Sequence, residues 1–361
     1  MISRKIPLKN TLTKAIIGII VSTLLIISEI LLLFLDRRHE PIPEQKREVT
    51  AYSVQFLAFG DVNLGRTVGQ KILKINVHYP FDKYSIRQDS ADIVFANLES
   101  QISDQNGETG HPKFNLIFTA PPEAVQTLLQ SGIDIVSTAN NHAFDYGIDA
   151  LKETIDRLQQ ANIRFVGTSK DNTDPFKPLI IKKNSIKFAI FSVTSFVNIT
   201  VNGWRRYIAT PDTVRLMQEI LAIKDSVDVV VMSYHGGVEY TDVPAQKVKI
   251  FANWCVDNGV DIFLGHHPHV SYGIMKKGKS FIVHSLGNFV FFQPQHYWTQ
   301  RSYGIKFFIE KKDTVTTIAV SRLYPVDVSM QTKPLTDSTE RNKLIQRTQQ
   351  LSNIDLSNYW N

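Results

Sequence analysis

Short apolar runs alternate with helix-like stretches along most of this 361-residue chain, and this alternation limits the fold more than any other feature. Residues 227–232 form a near-continuous β-branched run, which is typical of a strand buried on both faces. Strands separated by helices predict an α/β fold whose helices pack outside a mostly buried sheet. The apolar content of 43% is ordinary for a globular protein.

The same pattern sets the predicted elements. Pro121 and Pro122 favour a helix start, because proline is tolerated in a first turn, and Gly132 ends that helix. Strands are predicted at residues 54–59, 92–96, 133–137, 163–166, 188–193, 227–232, 260–264 and 281–284, with a hairpin at 303–310 and 315–323. Helices are predicted at residues 123–130, 148–161, 211–224, 245–257 and 337–351.

Polar side chains follow the apolar runs at five or more separate strand ends. In open α/β folds, ligands bind in the crevice beyond the carboxyl ends of the strands. Any one of these residues could be a turn residue, but their recurrence favours a common site that binds a metal. The residues concerned are Asp61, Asn97, Glu99, Asn140, Asn141, His142, His235, His267, His269 and Asn288.

Residues 265–269 carry three histidines in the sequence GHHPH, directly after a predicted strand. His267 and His269 share a face of an extended chain, but the loop must curl to present both rings to one ion. Pro268 fixes its own φ, and Gly265 is expected to permit the dihedral angles of that turn. The alternative for this motif alone is a polar loop.

Carboxylates, an amide oxygen and imidazoles together suit Mn²⁺, Fe²⁺ or Zn²⁺ better than Ca²⁺. There are enough ligands for one or two ions, and two ions about 4 Å apart are typical of two-metal hydrolases. Cys255 is the single cysteine, which excludes an internal disulfide and a cysteine-based zinc site. Half of the net charge of +6 lies in residues 1–50, so no basic stripe indicates a nucleic-acid partner.

Residues 15–35 form an apolar run that Ser22, Thr23, Ser28 and Glu29 interrupt. A helix of this length spans about 30 Å, the thickness of the bilayer hydrocarbon. Basic residues precede the run and no small-residue cleavage site follows it, so we predict an uncleaved, single-pass signal anchor in the cell membrane.

The basic residues are equally numerous on the two sides of this run, four before it and four after it. The first membrane span of a protein usually has its N-terminus in the cytoplasm, and a large domain follows this one. We therefore predict residues 1–14 in the cytoplasm and the main domain outside. Residues 36–52, with Pro41 and Pro43, are predicted to be a solvated linker. Glu29 is costly in lipid, so it favours a partner helix in a membrane complex.

Six motifs within residues 53–330 resemble the CapA family of capsule and poly-γ-glutamate synthesis proteins. They are GDVNLGR at 60–66, ANLES at 96–100, ANNHAFDYG at 139–147, SYHGGVEY at 233–240, GHHPHV at 265–270 and HSLGNFVF at 284–291. The resemblance implies a fold similar to calcineurin-like metallophosphoesterases, a β-sandwich flanked by helices. Residues 331–361 would follow this domain as a C-terminal helix and tail.

The motifs of that superfamily imply roles for individual residues. Metal ligands would be Asp61, Glu99 in place of a bridging carboxylate, Asn141, His235, His267 and His269. His142 would be the catalytic acid or would stabilise the transition state, and His266 would be a neighbour only. Asn63 stands where the superfamily has a histidine, and the GD-x-x-D pattern is missing at Glu99, so one ion and two ions both remain open.

The resemblance implies a membrane-anchored protein of capsule or poly-γ-glutamate biosynthesis and export, acting as a metal-dependent hydrolase or transferase. One alternative is a non-catalytic subunit of a polymer export complex; another, which the two departures disfavour, is a generic metal-dependent phosphoesterase. Expected substrate contacts are Arg66, Asn97, Glu239, Tyr240 and Asn288. Arg66 either binds a substrate carboxylate or phosphate or pairs with a site carboxylate such as Glu99, and Asn288 either lines the pocket or orders a turn.

Overall fold

The computed structural model describes residues 9–36, 51–86, 91–170 and 173–360. The chain divides into two compact units, Met1–Val49 and Thr50–Asn361. Residues 1–8 of the predicted cytoplasmic segment and residues 37–50 of the predicted linker lie outside the described residues.

The first unit contains one helix, α1 (Lys9–Asp36), among its described residues. Its segment Leu12–Leu35 has a mean hydropathy of 2.7, and all the side chains of this segment are exposed. By length and composition this helix can cross a membrane, a property that membrane anchors share with signal sequences.

The second unit begins with strand β1 and contains all the predicted strands and helices, together with one helix and several short strands that the sequence pattern did not predict. The strands are β1 (Ala51–Val62), β2 (Ile93–Leu98), β3 (Gln101–Ile102), β4 (Thr119–Ala120), β5 (Ile135–Ser137), β6 (Arg164–Val166), β7 (Leu179–Lys183), β8 (Ile186–Thr194), β9 (Val229–His235), β10 (Ile262–His266), β11 (Ile274–Lys277), β12 (Ser280–Val283), β13 (Asn288–Val290), β14 (Arg301–Lys312), β15 (Val315–Asp327) and β16 (Lys333–Pro334). The helices are α2 (Arg66–Lys74), α3 (Ala124–Ser131), α4 (Gly147–Gln160), α5 (Thr213–Ile223), α6 (Gln246–Asp257) and α7 (Ser338–Gln350).

Two sheets pack face to face and bury the central core between them. The first has the order β16-β15-β14-β1-β2-β5-β6, with β13 paired to β1, and the second has the order β11-β12-β10-β9-β8-β7. Phe56 of β1 stacks on Phe188 of β8 with ring centroids 6.1 Å apart, so apolar side chains of both sheets form one cluster. Helices cover the outer faces, where separate apolar clusters lie. The predicted α/β sandwich flanked by helices is confirmed.

Several elements are longer than the sequence pattern predicts. Strand β1 continues past Gly60, because Asp61 pairs with Asn97 of β2 and with Asn288 of β13, and the register shifts between Ala58 and Asp61. The apolar pattern could not show this, since the added residues are polar or glycine. Asp61 therefore lies inside the sheet rather than in a loop after it.

The C-terminal segment belongs to the second unit. Leu356 is fully buried in the central cluster, and the backbone N–H of Leu323 donates to the carbonyl of Tyr359 at 2.7 Å. The expected polar tail after α7 is therefore packed against the sandwich. Isolated apolar residues, rather than a periodic pattern, hold it there.

Candidate functional site

The predicted strand-end residues converge where the two sheets meet. Asp61 and Asn97 come from neighbouring parallel strands of the first sheet, and His235 ends β9 of the second. His266 ends β10, which pairs in parallel with β9, so the next residues enter the same space. Parallel pairing aligns the carboxyl ends of the strands, which is why distant parts of the sequence meet here.

Glu99 lies at the centre of this cluster. Its Oε1 is 3.8 Å from Nε2 of His142, 4.0 Å from Nε2 of His235 and 3.8 Å from Nε2 of His269. The side chain is completely buried, and neither carboxylate oxygen has a hydrogen-bond partner among the described residues. A buried carboxylate without partners is costly, and the arrangement is compatible with a site for a cation.

Two groups of possible metal ligands share Glu99. One consists of Glu99, His267 and His269, and the other of Asp61, Glu99 and His235; within each group the ligand atoms lie within 4.8 Å of one another. A carboxylate common to two groups has the position that a bridging ligand needs. This placement agrees with the role that the resemblance implies for Glu99.

The two acidic residues of the cluster have opposite pKa shifts. Burial raises the pKa of Glu99 well above its usual value, and the neighbouring charge of Asp61 raises it further. Burial also opposes ionisation of Asp61, but hydrogen bonds from His266 and His269 hold its pKa well below the usual value. Within this pair, the surroundings therefore favour the ionised form of Asp61 over that of Glu99.

The surroundings of two imidazoles, those of His235 and His267, favour the neutral ring. Burial lowers the pKa of His235 well below its usual value, and the neighbouring His267 lowers it further. Burial, followed by the charge of His269, lowers the pKa of His267 to about 3. Neutral rings with a free lone pair are the species that coordinate divalent ions.

The GHHPH turn curls as expected, but through different residues. His267 and His269 have φ angles of +94° and +61°, in the region that non-glycine residues rarely adopt. Gly265 is not among the residues with positive φ, so the expectation that it supplies the turn is wrong. A Cβ at Gly265 would lie 1.9 Å from the carbonyl oxygen of His284, so this glycine permits the close approach of two strands.

Asn63 does not reach the cluster as a ligand. Its Oδ1 accepts a hydrogen bond from the backbone N–H of Gly65 at 2.8 Å and so orders the turn after β1. His266 instead brings an imidazole to Asp61, with Nδ1 3.2 Å from Oδ1 of Asp61. The superfamily motifs imply that His266 is only a neighbour of the ligands, whereas the structure places its ring against the candidate ligand Asp61.

His142 is oriented by groups that the sequence analysis did not single out. Its Nδ1 lies 2.8 Å from Oδ2 of Asp145, and that oxygen also accepts from the backbone N–H of Phe118 at 2.9 Å. The ring of Phe118 packs 4.0 Å from the His142 ring. Asp145 belongs to the ANNHAFDYG motif, so its spacing of three residues was a usable signal, whereas nothing in the sequence indicated Phe118.

Asn198, on the loop after β8, orients Asn141. Nδ2 of Asn141 donates to Oδ1 of Asn198 at 3.3 Å, and the backbone N–H of Asn198 donates to the carbonyl of Asn141 at 2.8 Å. The oxygen of the Asn141 amide consequently faces Nε2 of His235, 2.8 Å away. The amide oxygen, which is the ligand atom that the motif implies, is thus turned towards the cluster.

Arg66, Glu239 and Tyr240 lie at the border of the cluster, partly exposed. The guanidinium of Arg66 stacks on Phe118, 4.5 Å from the ring centroid, and donates to the carbonyl of Asn115 instead of forming an ion pair with Glu99. The ring centroid of Tyr240 is 6.0 Å from that of His269. These three positions remain predicted substrate contacts.

Asn97 and Asn288 hold the candidate ligands. Nδ2 of Asn97 donates to Asp61 at 2.9 Å and lies 3.2 Å from Nδ1 of His235. Oδ1 of Asn288 lies 2.9 Å from Nδ1 of His269. Both amides are completely buried, and each contacts at least one candidate ligand.

The donor set fits a divalent transition metal. It combines two carboxylates with imidazole nitrogens and one amide oxygen, and the Glu99 oxygens lack partners among the described residues. The burial of the whole cluster would exclude bulk water from an ion bound there.

Comparison with known proteins identifies the family. The model of the family described as bacterial capsule synthesis protein PGA_cap matches residues 55–293. The capsule biosynthesis protein CapA of Bacillus anthracis is 27% identical over 354 residues, 94% of this chain and 82% of that protein. The PGA biosynthesis protein CapA of Bacillus subtilis (strain 168) is 28% identical over 295 residues, 78% of this chain and 76% of that protein.

Among solved structures, the 5'-nucleotidase of Candida albicans SC5314 aligns with a TM-score of 0.43 at 13% identity, covering 84% of this chain and 59% of that chain. The family match extends over most of the sandwich, from β1 to the segment after β13, and it includes every candidate ligand. The resemblance to CapA is confirmed: the chain belongs to the bacterial capsule synthesis protein PGA_cap family.

Proposed function

We propose that this protein is a membrane-anchored, metal-dependent hydrolase or transferase of capsule or poly-γ-glutamate biosynthesis and export. The observation that carries this proposal is Glu99, a buried carboxylate whose oxygens have no hydrogen-bond partner among the described residues. The Nε2 atoms of His235 and His269, two of the candidate ligands, lie 4.0 and 3.8 Å from its Oε1. A divalent cation would satisfy these atoms together.

Each predicted residue has a distinct task in this proposal. The ion, one or two of Mn²⁺, Fe²⁺ or Zn²⁺, would polarise the bond under attack. It would be held by Asp61, Glu99, Asn141, His235, His267 and His269. Nδ1 of His142 is engaged by the Asp145 carboxylate, so its Nε2 faces the cluster and, when the ring is an imidazolium, would give a proton to a leaving group.

The substrate would be an amide or a phosphoester of a capsule precursor. Arg66 lies at the border of the cluster with its planar guanidinium against Phe118, where it can bind a carboxylate or a phosphate. Glu239 and Tyr240 line the same border. Contacts with these residues would hold a bound substrate beside Nε2 of His142.

Metal analysis of the purified full-length protein tests this proposal. We expect bound Mn, Fe or Zn in the wild type, and a loss of at least ten-fold in metal content for Glu99→Gln, which removes the charge and keeps the size. Glu108→Gln, a change on an exposed loop, is the control. A wild-type protein that binds none of these ions at micromolar concentration would refute the proposal.

We also propose that α1 anchors the chain, with its N-terminus in the cytoplasm and the second unit outside the cell. The exposed apolar side chains of Leu12–Leu35 support a membrane span. In intact cells, added protease should remove an epitope at the C-terminus and spare one at the N-terminus. Protection of the C-terminal epitope would show the opposite orientation. Release of the protein that carries this epitope into the medium would indicate a cleaved signal sequence.

A second candidate function is that of a non-catalytic subunit of a polymer synthesis and export complex. Glu29 favours it, since this carboxylate lies exposed in the middle of an apolar helix. Detergent pull-down of the wild type should retain a membrane partner that Glu29→Leu loses and that Ser28→Leu retains. Full function of His142→Ala in cells, together with this loss, would favour the subunit over the enzyme.

A further inference from the structure

Two buried amides connect the hydroxyl of Tyr240 with the imidazole of His269. Nε2 of Gln293 donates to the Tyr240 hydroxyl at 3.2 Å, and Oε1 of Gln293 accepts from Nδ2 of Asn288 at 3.0 Å. Oδ1 of Asn288 lies 2.9 Å from Nδ1 of His269. Gln293 is only 7% exposed and Asn288 is completely buried, so the hydrogen bonds from Gln293 to Asn288 and on to His269 are shielded from water.

The carbonyl of Thr299 sets the direction of this chain of hydrogen bonds, because a carbonyl only accepts. Nδ2 of Asn288 donates to it at 3.1 Å as well as to Gln293, so both amide protons are used. Oδ1 of Asn288 must then face His269, whose Nδ1 carries the proton. Nε2 of His269 is left with its lone pair on the side of Glu99, 3.8 Å from Oε1.

Tyr240 lies at the border of the site, where a bound ligand can move its hydroxyl, and its other contacts hold it in place. Its ring stacks on His296 with centroids 4.0 Å apart, and its backbone N–H donates to the carbonyl of Pro268 at 3.0 Å. It has a φ of +58°, so its backbone is held in an uncommon conformation. The hydroxyl end of Tyr240 is thus tied to Gln293 while its backbone is tied to the turn that carries His269.

We propose that Gln293 is a positioning residue that couples Tyr240 to the ion-facing side of His269. A ligand that displaces the Tyr240 hydroxyl from Gln293 would loosen the Asn288 amide and so change the affinity of the site for a divalent cation. This inference rests on the proposed metal-dependent function. It adds that ligand binding at Tyr240 and cation binding at His269 change each other's affinity.

Gln300 supplies a matched control. It is a glutamine of the same loop, and its Nε2 donates to the carbonyls of Pro294 and His296 at 3.1 and 3.2 Å. Those bonds order the loop without joining Asn288 or His269. Gln300→Leu therefore removes two hydrogen bonds of the loop but none of those that join Tyr240 to His269.

The test is Zn²⁺ and Mn²⁺ affinity of the full-length protein in detergent, measured by chelator competition. We expect Gln293→Leu to weaken binding about ten-fold and Gln300→Leu to weaken it less than about two-fold. Tyr240→Phe should change the affinity of the wild type but not that of the Gln293→Leu protein, since the coupling passes through this amide. Additive effects of the two substitutions would overturn the proposal.

The Nδ1 proton of His269 gives a readout that needs no metal. In the ion-free protein labelled with ¹⁵N-histidine, the His269 signal, identified by its absence in His269→Gln, should show a protonated Nδ1. Gln293→Leu should shift this signal and Gln300→Leu should not. An unchanged signal in Gln293→Leu overturns the inference. A wild-type protein that binds no ion refutes the proposed metal-dependent function but not the positioning role of Gln293. In that case the effect of Gln293→Leu on the His269 signal decides whether Gln293 positions the ring.

Discussion

Nδ1 of His142 and Oδ2 of Asp145 lie 2.8 Å apart, and the carboxylate is fixed in turn by the backbone N–H of Phe118. Burial raises the pKa of Asp145, and contact with His142 opposes that rise. The pair resembles an acid and its orienting group, because one nitrogen of the ring is engaged and the other faces Glu99.

If the proposed metal-dependent function holds, Asp145→Asn should impair it and leave the metal content unchanged. An amide can donate to the ring and stabilise the wrong tautomer, so we expect a loss of 10²-fold or more in the turnover that His142 supports. Capsule polymer production in cells that lack their own copy measures the effect, alongside metal content. Asp149→Asn, an exposed carboxylate on α4, is the control. Wild-type polymer levels with Asp145→Asn would contradict a role for the pair.

Asn198→Ala should weaken metal binding by about ten-fold, because it frees the Asn141 amide to turn its nitrogen towards the cluster. Chelator competition with Zn²⁺ measures the affinity. Asn202→Ala changes an exposed residue of the same loop and should have no effect. If both variants bind Zn²⁺ like the wild type, Asn198 does not orient the ligand.

Gly265→Ala should destabilise the second unit by about 2 kcal/mol or more, since its Cβ would overlap the carbonyl of His284. Thermal unfolding of the full-length protein measures this loss. Gly110→Ala is the control, because its nearest atom would lie 3.7 Å away and the change should cost less than about 0.5 kcal/mol. Equal melting temperatures for the two variants would show that the strands can separate at Gly265.

His284 should make the protein sensitive to acid between pH 6.5 and pH 4. Burial, followed by the charge of Lys249, lowers the pKa of His284 from 6.5 to about 4. Above pH 6.5 His284 is neutral in both the folded and the unfolded protein. Between pH 6.5 and about pH 4 it binds a proton in the unfolded chain but stays neutral in the folded protein. The free energy of unfolding should therefore fall by about 3 kcal/mol across this range.

His284→Phe, which keeps a ring of similar size, should remove this part of the pH dependence. Unfolding of both proteins at pH 7 and pH 4.5 measures the difference. His78→Gln alters an exposed histidine and serves as the control. An unchanged difference between the two pH values in His284→Phe would show that other groups cause the acid sensitivity.

The amino-acid sequence alone determined the class of the fold and many of the residues that the structure brings together. Apolar runs separated by amphipathic stretches specify strands and helices because burial is periodic along the chain. Ligand-type residues at several strand ends indicated one site, since parallel strands bring their carboxyl ends together. The structure brings Asp61, Glu99, Asn141, His235 and His269 together as this pattern predicts.

Tertiary structure alone decided how these residues are held. Gln293 and Asn198 lie outside the recognised motifs, and they matter because the chain returns them to Asn288 and Asn141. Position 265 requires glycine because the backbone of His284 lies so close to it, and local propensity does not encode this contact. Hydrogen-bond direction and close packing are properties of groups distant in sequence, so they exist only once the two sheets have assembled.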